Sequence, residues 1–129
     1  MTTFKQEKTL AERKKDCDKA KKRYPSRIPV ICEKHCDSNL PEIDKKKYLV
    51  PKDMTVSTFI YVLRKRIDKL DKQQAIYLFA GNTLPQVSKN MADIYQEHAD
   101  EDGFLYMTYS AESTFGSKEQ EQEQEQEQE

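Results

Sequence analysis

The sequence predicts an α+β fold in which a four-stranded mixed sheet is crossed by one amphipathic helix and preceded by an N-terminal helix. Residues 28–32 and 75–80 are largely apolar without alternation, which is typical of strands that are covered on both faces. Between them, apolar residues recur with the period of a helix from Val56 to Leu70. These three segments together predict a sheet with helices packed on it.

The N-terminal segment predicts a short helical turn within 4–10 and a longer helix over 11–23. Pro25 ends the longer helix, because the residue before a proline avoids the helical region. Its apolar residues fall on one narrow stripe, made of Leu10, Cys17, Ala20 and Tyr24. We expect this stripe to lie on the sheet, with lysine and arginine pointing outward.

The remaining elements follow in a fixed order. Asp53 or Thr55 caps the central helix, and a further short helix is predicted over 89–98. Strands are predicted over 27–33, 47–50, 75–80 and 104–109. A hairpin, a crossover helix and two further strands make a ubiquitin-like roll.

Residues 45–51, Lys-Lys-Lys-Tyr-Leu-Val-Pro, predict a short edge strand. Side chains alternate along a strand, so Tyr48 and Val50 point to one face and Lys47 and Leu49 to the other. A free edge with apolar groups on both faces and a cationic rim is suited to accept an extended peptide as an additional strand. The alternative is an ordinary edge strand whose lysines prevent aggregation.

Charge is distributed unevenly along the 129 residues, although the net charge is only −1. Residues 1–47 carry 14 Lys and Arg against 8 Asp and Glu, and residues 48–116 carry 7 against 9. Residues 117–129 carry 1 against 6. The N-terminal part therefore predicts a basic surface that favours acidic partners.

Motifs for catalysis, metals and cofactors are weak. Two cysteines and a histidine lie within 32–36, but a zinc site would need Cys17 or His98 as its fourth ligand, and Cys32 is better explained as a core residue. Only three glycines occur, which excludes a glycine-rich phosphate loop. We expect no metal, no cofactor, no enzymatic activity and no nucleic-acid partner. No secretory signal or membrane-spanning run is expected either.

Several motifs together resemble one family. They are 22–31 (KRYPSRIPVI), 44–51 (DKKKYLVP), 64–67 (RKRI), 95–98 (YQEH), 102–106 (DGFLY) and 115–116 (FG). In order and spacing the chain closely resembles the autophagy-related protein 8 family, relatives of the GABA-receptor-associated protein, over residues 4–116. The resemblance implies a ubiquitin-like β-grasp fold, a four-stranded mixed sheet with a crossover helix, plus two N-terminal helices. It divides the chain into an N-terminal helical extension (1–26), a ubiquitin-like domain with a flexible arm (27–116) and a disordered pro-segment (117–129).

The resemblance also implies two peptide pockets at the predicted edge strand. One is lined by Asp16, Ala20, Pro29, Ile31, Lys47, Leu49 and Phe104. The other is lined by Tyr48, Val50, Pro51, Met54, Phe59 and Val62. Residues i and i+3 of an extended peptide lie ~10 Å apart and point to opposite faces, so an aromatic-x-x-aliphatic motif would use both pockets. Lys45, Lys47 and Arg66, with Arg27, would contact acidic residues that flank the motif.

By the same resemblance, a cysteine protease cleaves after Gly116, with Phe115 as an anchor. Activating and conjugating enzymes then join Gly116 to phosphatidylethanolamine. The protein would move from the cytoplasm to autophagosomal membranes, and then to vacuole or lysosome, where it recruits cargo receptors. Two alternatives stay open: a ubiquitin-like interaction domain that is never conjugated, and a basic cytoskeletal or nucleic-acid binder.

Overall fold

The computed structural model describes residues 3–113 of the chain. Within these residues the elements are α1 (Phe4–Glu7), α2 (Leu10–Arg23), β1 (Arg27–Lys34), β2 (Lys47–Pro51), α3 (Val56–Arg66), β3 (Tyr77–Ala80), α4 (Met91–His98) and β4 (Leu105–Ser110). None of the described helices is long and apolar enough to cross a membrane.

The four strands form one mixed sheet in the order β2-β1-β4-β3. β1 pairs antiparallel with β2 and parallel with β4, while β3 is antiparallel to β4. β2 and β3 are therefore the two edges. This arrangement confirms the predicted four-stranded mixed sheet, and it confirms that residues 47–51 lie at an edge.

α3 covers one face of the sheet and forms the main core. The Thr55 hydroxyl accepts a hydrogen bond from the Thr58 N–H and so caps the helix. Val56, Phe59 and Leu63 follow on one side of the helix, and all three are completely buried. The predicted apolar face of this helix is therefore buried in the structure.

The prediction that this helix continues to Leu70 is wrong, because α3 ends at Arg66. Ile67 adopts an extended backbone (φ −87°, ψ 111°) and forms a bridge with Ile43. Lys69 then takes a positive φ of 61°. Ile67 is buried because it pairs with Ile43, although it lies outside α3. The helical spacing of apolar residues therefore continues past the end of the helix.

The other face of the sheet is covered by α1 and α2. A second core cluster there contains Phe4, Cys17, Ile31 and Phe104. α2 approaches so closely that a Cβ on Gly103 would lie 2.6 Å from the Cys17 sulfur. Glycine at this position therefore lets the helix lie directly on the start of β4.

Some predicted positions shift at the ends of elements. β3 begins at Tyr77, α4 at Met91 and β4 at Leu105, each one or two residues later than predicted. Tyr24 was expected on the buried stripe of α2, and this is wrong. It is the residue after the helix, its backbone leaves the helical region, and its side chain is 43% exposed.

A buried carboxylate joins α2 to the start of β4. Asp102 has a fully buried side chain, and its Oδ2 lies 2.7 Å from Arg13 Nη1. Tyr106 donates its hydroxyl proton to the same oxygen, and the Phe104 N–H donates to Oδ1 at 2.8 Å. Burial is the main cause of the raised pKa of Tyr106, with the Asp102 hydrogen bond second. This network holds the second cluster together.

We predict that Asp102→Asn lowers the free energy of unfolding by about 3 kcal/mol, because it leaves the Arg13 guanidinium without its buried counter-charge. Asp100→Asn is the matched control, since Asp100 is more exposed and pairs with Arg13 only at 3.8 Å. Its cost should stay below about 1 kcal/mol. Urea unfolding measures both. Equal losses would contradict a special role for Asp102.

Candidate functional site

The outer edge of β2 has no strand partner among residues 3–113. The Cys32 N–H donates to the Lys46 carbonyl at 2.8 Å, and hydrogen-bonded pairs alternate along an antiparallel ladder. Tyr48 and Val50 therefore direct their backbone groups toward β1. The N–H and C=O groups of Lys47 and Leu49 point away from the sheet. An added strand would bond to these two residues.

One of these outward groups is occupied by a side chain. Arg27 Nη1 donates to the Leu49 carbonyl at 3.0 Å. Leu49 lies opposite Pro29 in the register. A carbonyl oxygen has two lone pairs, so an incoming strand that uses the Leu49 carbonyl would either share it with this guanidinium or displace the guanidinium toward the ligand.

Side chains of β2 alternate as the sequence predicted. Tyr48 and Val50 are buried against α3, Leu49 is half-buried, and Lys47 is exposed on the face that carries α2. Tyr48 packs edge to face on Phe59, with ring centroids 5.5 Å apart. Tyr48 and Val50 of one predicted pocket therefore lie on the opposite face of the edge strand from Lys47 and Leu49 of the other.

The first predicted pocket has a buried floor and a partly open rim. Ile31 and Phe104 are completely buried, and Pro29 is also buried. Asp16, Ala20 and Leu49 are half-buried, and Lys47 is exposed. The structure brings Ile31 and Phe104 into one cluster and places Lys47 close enough to Asp16 to lower the pKa of that carboxyl.

Phe4 was not among the predicted site residues, yet it covers this floor. Its ring packs edge to face on Phe104 with centroids 5.5 Å apart. It also lines a cavity of about 550 Å³ together with Lys45, Lys46, Lys47 and Leu49. A lone aromatic in a polar N-terminal segment is the signal that could have identified it.

The second predicted pocket is more closed. Tyr48, Val50 and Phe59 belong to the main core, and Pro51, Met54 and Val62 are half-buried. A ligand on this face would first contact the three half-buried residues. The Tyr48 hydroxyl is buried and has no partner with hydrogen-bond geometry among residues 3–113, although the Arg66 guanidinium is close enough to act on its pKa. Burial is the main cause that raises the pKa of Tyr48 to about 12.

Cations lie beside the start of β2. Lys45 Nζ is 5.2 Å from the centre of the Tyr48 ring, and Lys47 Nζ is 5.9 Å from that of Phe4. Arg66, at the end of α3, is exposed and lines a cavity of about 260 Å³ with Glu42 and Asp44. The free edge is therefore bordered by positive charge.

α1 is held over the first pocket by polar contacts. The Phe4 N–H donates to Glu33 Oε2 at 2.8 Å, and that same oxygen lies 3.2 Å from Lys46 Nζ. Lys5 pairs with Asp100 at 2.8 Å. Lys8 pairs with Asp16 on α2. These contacts fix the position of the Phe4 ring.

The cysteines do not converge on a metal. Cys32 is buried in the main core and Cys17 in the second cluster, on opposite faces of the sheet, so they cannot share one ion. His35, Cys36 and Asp37 have donor atoms within 4.8 Å of one another at the surface. His35 Nδ1 already accepts the Asp37 N–H at 3.1 Å. The absence of a metal site stays a prediction.

Comparison with known proteins assigns the family. The family model described as "Autophagy protein Atg8 ubiquitin like" matches residues 12–116. The chain belongs to the Atg8 family. It is 55% identical over 116 residues to autophagy-related protein 8a of Arabidopsis thaliana, covering 90% of this chain and 94% of that protein. It is 54% identical over 115 residues to autophagy-related protein 8 of Saccharomyces cerevisiae strain YJM789, covering 89% and 97%.

Solved Atg8 structures share the fold. The crystal structure of Trypanosoma brucei ATG8 matches with a TM-score of 0.81 and 45% identity, covering 90% of this chain and 99% of that one. Plasmodium falciparum Atg8, solved in complex with a Plasmodium falciparum Atg3 peptide, matches with a TM-score of 0.80 and 41% identity, covering 89% and 100%. The chain is therefore an autophagy protein with the ubiquitin-like fold. Phe115 and Gly116 lie outside the described residues.

The Lys8–Asp16 pair gives a testable pH dependence. The hydrogen bond from Lys8 is the main cause that holds the pKa of Asp16 below its ordinary value of 3.8, and Lys47 and Lys19 add to it. The stability that this pair contributes is complete above the ordinary pKa and is lost as pH falls through the lower folded-state value. We predict an Asp16 titration midpoint below 3.8 by NMR. Lys8→Met should raise it, and an unchanged midpoint would contradict the pairing.

Proposed function

We propose that this Atg8-family protein is a ubiquitin-like modifier that captures receptors through aromatic-x-x-aliphatic motifs at the outer edge of β2. The observation that carries the proposal is the free edge itself. Lys47 and Leu49 direct their backbone groups away from the sheet, with the Leu49 carbonyl bonded to Arg27. Leu49 adds a half-buried apolar contact. The Atg3 peptide in the related Plasmodium falciparum complex supports a peptide-binding role, and it supports a conjugating enzyme as a partner.

The alternation of β2 explains why such a motif needs two apolar residues three apart. An extended peptide turns these side chains to opposite faces. One side chain would meet Leu49 and the Phe4–Phe104 pair, and the other would meet Pro51, Met54 and Val62. The guanidinium of Arg27, once displaced from the Leu49 carbonyl, would join Lys45, Lys47 and Arg66 in binding acidic flanks. Asp16 and Ala20 would border the first pocket.

We predict micromolar binding of an acidic-flanked aromatic-x-x-aliphatic peptide. Leu49→Ala should weaken it by about 1–2 kcal/mol, because Leu49 is the apolar anchor on the open face of β2. Phe104 is unsuitable for this test, since it is completely buried and its truncation would damage the fold. Leu84→Ala is the matched control, because Leu84 is 44% exposed and belongs to neither predicted pocket. Calorimetry that shows equal affinities for both variants would exclude the β2 site.

The proposal includes processing at Gly116. A dedicated cysteine protease removes residues 117–129, and activating and conjugating enzymes then join the Gly116 carboxylate to phosphatidylethanolamine. Glycine has no side chain, so its carboxylate fits narrow enzyme channels. Phosphatidylethanolamine supplies two acyl chains, and two chains give stable membrane anchoring where one gives marginal binding. The protein itself is not an enzyme under this proposal. It acts on autophagosomal membranes as a platform for cargo receptors.

Substitution of Gly116 tests processing separately from peptide binding. We predict that Gly116→Ala keeps the protein full-length and unlipidated in cells while leaving its fold and peptide affinity unchanged. Intact-mass measurement and membrane fractionation give the readouts. A Gly116→Ala protein that still gains lipid would overturn the assignment. A wild-type protein that retains its tail in cells would favour an interaction domain that is never conjugated.

A further inference from the structure

The C-terminal segment, residues 117–129, lies beyond the family match. The family match ends at residue 116, and 13 residues follow. From Glu119 to Glu129, every second residue is glutamate and the residues between are glutamine. The segment carries six negative charges and one lysine. This negative charge is complementary to the lysines at the edge of β2.

Strand register places the exit of the chain near the basic end of β2. β4 runs parallel to β1, so Tyr109 lies opposite Lys34. β2 runs antiparallel to β1, with Lys47 opposite Ile31. The end of β4 and the start of β2 are therefore at the same end of the sheet. Only β1 separates them, which is two strand spacings or about 10 Å.

The segment is long enough to reach β2. Ser110 is four strand positions beyond the level of Lys47, or about 13 Å. The two displacements combine to about 17 Å, while the nine residues from Ser110 to Glu119 can span about 30 Å. Eleven further residues can cover the whole β2 edge, which is about 17 Å long. A chain that enters from this end runs in the same direction as β2.

The positive charge at the β2 edge is complementary to the negative charge of residues 117–129. Lys45 and Lys47 line one cavity beside the outward backbone groups of β2. An extended chain points every second side chain the same way, so all six glutamates can face one side while the backbone pairs with Lys47 and Leu49. Lys19 and Lys47 both lower the pKa of the Asp16 carboxyl, so each contributes positive charge near that carboxyl. Glutamates that face this side would meet the ammonium groups of Lys45 and Lys47 together.

We propose that residues 117–129, while still attached, lie along the free edge of β2 with their glutamates on Lys45 and Lys47. The segment then competes in cis with acidic-flanked motifs, and its removal opens the receptor site. This inference rests on the proposed function, because it assigns the same edge to receptors. Cleavage after Gly116 would then have two effects. It would expose the Gly116 carboxylate for conjugation, and it would free the edge of β2 for receptor binding.

The effect should be moderate and sensitive to salt. A short tether gives an effective concentration in the millimolar range. Exposed lysine–glutamate contacts are individually weak and screened by salt. A segment that alone binds with millimolar affinity would therefore lower peptide affinity several-fold at low ionic strength, and not at all at high ionic strength.

The test compares two full-length proteins. One is wild type, and the other carries Glu→Gln at positions 119, 121, 123, 125, 127 and 129, which keeps length and shape but removes the charge. An acidic-flanked aromatic-x-x-aliphatic peptide is titrated into each. The neutral-tail protein should bind about threefold to tenfold more tightly at about 50 mM salt, and equally at about 500 mM. Equal affinities at low salt would overturn the proposal.

Amide NMR shifts locate the segment without any peptide. Differences between the two proteins should concentrate at 45–49 and near Lys19. Differences centred instead on the exposed lysines of α2, Lys14, Lys15 and Lys22, would overturn the proposal. So would differences that grow with protein concentration, because the segment would then bind a second copy.

These two measurements separate the failure of one hypothesis from that of the other. If neither protein binds the peptide but the shifts still appear at 45–49, the tail docks as proposed and the receptor function fails. If both bind the peptide equally and no shifts appear, the receptor function stands and tail docking fails.

Discussion

The structure depends on β1, a strand that is buried on both faces and paired along both edges. Val30, Ile31 and Cys32 have no exposed surface. Cys32 belongs to the core under α3, and Ile31 to the cluster under α1 and α2. The hydrogen bonds of β1 are shared between β2 and β4. β2 and β4 are placed by pairing with this strand, and β3 joins the sheet through β4.

That constraint explains which parts of the fold the sequence could reveal. Consecutive apolar residues in β1 and β3 identify strands covered on both faces, and the period of α3 identifies the helix that covers one of them. The end of α3 was not readable, because Ile67 is buried by bridge pairing and keeps the helical spacing. Tyr24 also keeps that spacing, although it lies beyond the helix.

Some features of the candidate site could also be predicted from the sequence, and others could not. The alternation of Tyr48 and Leu49 could be predicted, because it follows from strand geometry alone. The position of Phe4 could not, since it depends on long-range contacts with Glu33 and Phe104. The hydrogen bond from Arg27 to the Leu49 carbonyl could not be predicted either. Residue types indicated an edge with charge around it, and only the tertiary structure shows how much of that edge is already covered.

Cysteine burial has a practical consequence for spectroscopy. Of the three cysteines in the chain, Cys17 and Cys32 are buried and Cys36 is exposed. Burial raises the pKa of both buried thiols, which keeps them protonated and poorly nucleophilic. A maleimide dye should therefore attach to the native protein at Cys36 alone. Cys36 lies just beyond β1, where the His35 N–H bonds to the Tyr109 carbonyl at 2.9 Å. The dye would sit beside the last strand, as a built-in reporter that needs no engineered cysteine.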